Sequence, residues 1–171
     1  PPPSGSRYDG WVSEMPQALK DVVADFEFVD RSERAELLIE FADRFQSVPE
    51  EVATRPFPEE NHVTRCESEA YVWATENEDG TLKYYFAVEN PQGLSAKAWA
   101  AIMAETLSDE PLEDVVGVSP EVIFDLYGKD ISMGKGQGMM GMLDHVQSYA
   151  RRKLRERREE LTAKDAKSAK L

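Results

Sequence analysis

The apolar residues of this chain change period twice, and that change restricts the fold more than any other feature. From residue 19 to 45 they recur every three or four positions, as Leu19, Val22, Val23 and Phe26 and then as Leu37, Leu38, Phe41, Ala42 and Phe45. This spacing gives each of two helices one buried face and predicts a helical hairpin. Over 69–75 (EAYVWAT) and 81–88 (TLKYYFAV) the period falls to two, with Leu82, Tyr84, Phe86 and Val88 on one face and NEDG between as a turn. From Ser95 the helical spacing returns, with Trp99, Ile102 and Met103 facing inward. Two helices, a short antiparallel sheet and then several helices make an α+β arrangement.

Local signals place the boundaries. Ser13 can cap the first helix, which begins through Pro16, and Asp30 followed by Glu33 reads as a capping box opening the second. Pro49, Pro56 and Pro58 interrupt regular structure between 48 and 62. Leu94 is placed as a hydrophobic staple before the third helix. Pro111, Ser119 and Pro120 start short helices and Gly128 ends one. The last helix is expected from about Gln137, presenting Met139, Met142, Leu143, Val146, Tyr149 and Leu154.

At 171 residues and 41% hydrophobic composition, the chain suits one domain, expected over 13–150. The Pro-, Gly- and Ser-rich segment 1–12 is expected to be disordered, and 151–171 to form a charged helix end and tail. No apolar run is long enough to span a bilayer and no secretory pattern opens the sequence, so a cytoplasmic protein is expected. Because the sequence begins at Pro1, an organelle matrix or stroma stays open should a targeting segment have been removed. The net charge of -13 is uneven: 151–171 holds nine Lys/Arg and four Asp/Glu, leaving -18 on the first 150 residues. A body of that sign repels phosphate backbones and attracts basic protein surfaces, which argues against nucleic acid as a partner.

One cysteine excludes an internal disulfide, and with two histidines it leaves no basis for a cysteine-rich zinc site. Cys66 sits in NHVTRCESEAYVW, between the proline-rich loop and the first strand. Thr64, Arg65, Glu67 and Ser68 surround it, whereas a structural cysteine usually lies within an apolar stripe. Arg65 favours a thiolate there, and Glu67 and Glu69 oppose it.

The segment Val63, Thr64, Arg65, Cys66, Glu67, Ser68 resembles the SufE-family signature V-x-G-C-x-S followed by an apolar strand. The resemblance extends to MPQALKDVVADFEFVDRSERAELLIEFADRF, similar to the family's opening helix pair, and to ISMGKGQGMMGMLDHV, similar to its closing block. It covers about residues 14–150. Arg65 stands where the family has glycine, and Met133 and Lys135 where it has proline and arginine. Gln92 replaces an acidic residue. The resemblance implies helices packed on one face of a small antiparallel sheet, with the cysteine on an exposed loop whose side chain can turn into an apolar cavity. It also implies a function: Cys66 takes persulfide sulfur from a cysteine desulfurase of the SufS or CsdA type, stimulates it, and relays the sulfur to a SufBCD-type iron-sulfur scaffold. Arg65 and Lys135 are then the residues expected to steady the thiolate or persulfide charge. No cofactor or metal is expected on this chain, pyridoxal phosphate belonging to the desulfurase, and a homodimer is left open.

Other readings weigh less. His62 lies four residues before Cys66, about 13 Å away on extended chain, too far to act as its base. His145 is placed at the surface or rim. GKGQG (134–138) precedes a helix but follows no strand and fits neither nucleotide fingerprint, so it reads as a helix start. Met139, Met140 and Met142 read as core filling. The rival class is an adaptor of the same shape that binds a desulfurase or related partner without carrying sulfur.

Overall fold

A computed structural model describes residues 15–170. The expected Ser13 cap and the segment 1–12 lie outside them. Helices α1 (Gln17–Phe26) and α2 (Arg31–Asp43) follow as expected. Asp30 caps α2 by accepting the Glu33 N–H at 2.9 Å, while the Glu33 carboxylate accepts the Asp30 N–H at 2.8 Å. The helix pair meets through Phe26 and Phe41, whose rings stack at 6.2 Å, and each helix packs chiefly on α3 (Leu94–Leu107). Leu94, expected as a staple, is exposed instead, and Gly93 occupies the N-cap.

Strands β1 (Ala70–Glu76) and β2 (Leu82–Val88) form a two-stranded antiparallel hairpin, with Val72 opposite Phe86 and Glu76 opposite Leu82. As the alternation predicts, Leu82, Tyr84, Phe86 and Val88 are buried, with Ala70 and Val72 beside them, against α3 and the final helix. The opposite face is covered by the proline-rich loop. There Phe57 meets Trp73 at 4.9 Å and Tyr71 at 5.2 Å, and the Val48 N–H donates to the Phe86 carbonyl. The helices thus occupy one face of the sheet and a loop the other.

Short helices α4 (Leu112–Val116) and α5 (Val122–Tyr127) lead to α6 (Met133–Ala169). Gly128 ends α5 at φ +90°, where a side chain would be strained. Helix α6 begins one turn earlier than the sequence suggests, at Met133, because Ser132 caps it by accepting the Lys135 N–H. Its Met139, Met142, Leu143 and Val146 are buried in the main core. The buried Trp99 donates its indole N–H to the Met139 carbonyl at 3.0 Å, fixing α6 on α3. Beyond Ala150 the helix is mostly exposed, tethered by Lys153 to Glu76 at 2.6 Å and by Arg157 to the Gly80 carbonyl.

Candidate functional site around Cys66

The approach to Cys66 is fixed by a buried amide. Asn61 donates at 2.9 Å both to the Val72 carbonyl on β1 and to the Tyr149 hydroxyl on α6. Next, His62 pairs with Tyr71 as an isolated bridge, and the Val63 N–H donates to the Ala70 carbonyl at 2.8 Å. These contacts extend the sheet by a short lip from which residues 64–69 protrude as a loop.

That loop is two consecutive turns joined at the cysteine. The Val63 carbonyl accepts the Cys66 N–H at 3.1 Å, and the Cys66 carbonyl accepts the Glu69 N–H at 3.2 Å. The exit strand is held from its other side, where Glu89 and Asn90 donate their N–H groups to the carbonyls of Glu69 and Ser68. Glu69 takes the left-handed conformation, φ +50°. Arg65, which stands where the resemblance has glycine, is not in that region, so its side chain is accommodated without positive φ.

Helix α6 forms the floor. A methyl group placed on Gly138 would stand 3.3 Å from Cys66 Cα, 3.4 Å from the Arg65 carbonyl oxygen and 3.5 Å from Cys66 Sγ. One placed on Gly141 would stand 3.1 Å from a Val63 methyl, and one on Gly134 3.6 Å from the Glu67 carboxylate. Positions 134, 138 and 141 share one helix face, so the backbone of α6 is bare where the loop lies on it. Cys66 is half-buried there and packs on the main core, while Thr64, Arg65 and Glu67 are exposed.

Of the residues singled out from sequence, Cys66 and Arg65 share the loop. Arg65 lines a cleft of about 490 Å³ with His62, Thr64, Met140, Asp144 and His145. Lys135 lies on the first turn of α6, exposed, and lines a separate cleft with Val29, Arg34, Ser95 and Tyr127. His62 stays at the base of the lip, its Nδ1 3.3 Å from a Glu59 carboxylate oxygen. His145, expected at the surface or rim, is partly buried and lines the same cleft as Arg65. Desolvation holds its pKa below the usual histidine value, reinforced by Arg152 and His62 and opposed by Asp144.

Sequence reasoning missed two features. Met133 and Leu94 are exposed apolar residues next in sequence to glycines that approach the loop, Gly134 facing Glu67 and Gly93 lying against Ser68. The glycines of α6 were read only as a helix start. Their i, i+4, i+7 spacing within GKGQGMMG is the signal that would have marked a close approach.

Comparison with known proteins agrees with this architecture. The family described as SufE, Fe-S metabolism associated domain, matches residues 20–150. Uncharacterized SufE-like proteins from two strains of Mycobacterium tuberculosis are 28% identical over 149 residues, covering 84% of this chain and 96% of theirs. The solution structure of a hypothetical protein from Thermus thermophilus superposes with a TM-score of 0.66 at 25% identity, covering 82% of this chain and 98% of that one. The loop, its cysteine and the glycines beneath it all fall within the matched region.

Proposed function

Since this chain belongs to the SufE family, associated with Fe-S metabolism, we propose that Cys66 is the covalent sulfur acceptor through which it serves that metabolism. The observation that carries the reading is the placement of the single cysteine at the joint of two turns, half in solvent and half against α6.

The chemistry is a thiol displacement. The Cys66 thiolate attacks the outer sulfur of a persulfide R–S–SH on a cysteine desulfurase. A bond forms between Sγ and that sulfur, the bond to R–S breaks, the donor leaves as its thiolate, and Cys66 carries –S–SH. An iron-sulfur scaffold thiol takes the sulfur onward by the same displacement. Arg65, adjacent on the loop, supplies positive charge near a sulfur whose loaded form is readily anionic, and Lys135, whose side chain lines the separate cleft at the first turn of α6, adds to it by turning toward the loop. Exposed Leu94 and Met133, each next to a glycine that approaches the loop, offer apolar contact to a docking donor.

Intact mass after incubation with a cysteine desulfurase and free cysteine tests the reading. Sulfur loading adds about 32 Da per sulfur, is removed by reductant, and is absent in Cys66→Ser. In the same assay Arg65→Ala and Lys135→Ala are expected to load severalfold more slowly with binding retained. No gain of mass with a bound, active desulfurase would favour the adaptor reading instead.

A further inference from the structure

Gly138 is the one residue of α6 whose missing side chain leaves room for the cysteine itself. A Cβ there would stand in van der Waals contact with Sγ and slightly inside the usual separation from Cys66 Cα. The two sides of this contact differ in their freedom to yield. On the helix side, Gly138 is buried, Met139 and Met142 beside it are core residues, and the Met139 carbonyl is pinned by Trp99. On the loop side, Thr64, Arg65 and Glu67 are exposed and the loop is closed by its own two turn hydrogen bonds. Bulk added between a packed helix and an exposed loop therefore displaces the loop.

We propose that Gly138 is the positioning residue that sets how deeply the Cys66 thiol is sheltered, so that a side chain at this position holds the loop outward and the sulfur in solvent. The purpose of the shelter, limiting interception of the sulfur by other thiols, rests on the acceptor reading. The steric contact does not.

The test is the rate of Cys66 alkylation by iodoacetamide in the full chain, with no desulfurase present, followed by intact mass. Gly138→Val is expected to react on the order of tenfold faster than the parent, and Gly138→Ala about threefold faster, as growing overpacking disfavours the seated loop. General loosening of α6 would follow replacement of any of its buried glycines, whereas displacement of the loop follows only from bulk placed against it. Gly136→Ala, whose Cβ would meet only an Ile131 methyl at 3.9 Å and nothing of the loop, is the control and keeps the parent rate. Should Gly138→Val lose its cooperative melt, Gly138→Ala carries the test. Parent-like alkylation in the folded Gly138 variants, or an equal rise in Gly136→Ala, would overturn the proposal. If the parent protein failed to gain sulfur from a desulfurase, the acceptor reading would fall and these alkylation rates would still decide the role of Gly138.

Discussion

Cys66 has both backbone polar groups satisfied within its own loop, through Val63 on one side and Glu69 on the other. The loop tip therefore keeps its shape without help from a partner, and its cost is concentrated at Glu69, a non-glycine residue at φ +50°. That Cys66 sits on a connection rather than in an apolar stripe was legible from its polar neighbours. The residue carrying the positive φ was not, because nothing in a glutamate announces that conformation, whereas an absent glycine draws the eye to Arg65. His145 stands at the rim of the cleft beside Arg65, as its place on the last helix suggests, and there desolvation first, then Arg152 and His62, hold its pKa below the usual 6.5, with Asp144 alone opposing them. A histidine with a depressed folded pKa binds protons more readily when the chain is unfolded. Its neutral form leaves stability fully present above the unfolded value, and stability declines as pH falls through about 6.5 toward the folded value. Thermal melts between neutral and mildly acidic pH should show that decline, and His145→Gln should lessen it. Identical pH dependence in the two proteins would show that the imidazole is not the group responsible.

Among the elements, α6 shows most clearly how tertiary structure overrides local propensity. Gly134, Gly136, Gly138 and Gly141 weaken a helix considered alone, and this argues for a later start near Gln137. The helix nevertheless begins at Met133, because Ser132 caps it and the bare face it presents is filled by the cysteine loop. Elsewhere local chemistry and fold agree. The hairpin was readable to within a residue at each strand boundary, since one face of β2 is buried and a slip would expose it. The start of α2 was readable because a capping box is a purely local device, complete here in both directions. Removing the Asp30 carboxylate leaves the Glu33 N–H without its cap, and Asp30→Ala is expected to cost about 1 kcal/mol. For a domain of this size that corresponds to a melting point lower by roughly 2–4 °C. Calorimetry measures this directly, and an unchanged melting point would mean that solvent replaces the cap at no cost.

Over the whole molecule, charge is divided in a way that the sequence already exposes: -18 on the first 150 residues and +5 on the last 21. The structure adds where the two parts lie. Residues 151–169 continue α6 for roughly 28 Å, at 1.5 Å per residue. The first turns of that extension lie along the body, where Leu154 packs on the main core, Lys153 pairs with Glu76 and Arg157 donates to the Gly80 carbonyl, contacts between positions too distant in sequence for a pattern to reveal. Its far end runs beyond the Debye length at physiological salt and screens little of the acidic body. The cysteine loop belongs to the acidic part, with exposed Glu67 and Glu69 on the loop itself and Glu59 and Glu60 at its approach. A desulfurase that docks here through a basic surface would be drawn in by that field, while Leu94 and Met133 make the close apolar contact. These two contributions separate by ionic strength. Raising salt from about 50 to 500 mM should lower the association rate of the complex by about tenfold or more and leave dissociation comparatively unaffected, as expected for steering rather than contact. Stopped-flow binding at several salt concentrations resolves both rates. A salt-independent association rate would assign docking to the apolar pair, and then Met133→Ser, rather than neutralising the glutamates, should be the substitution that weakens it.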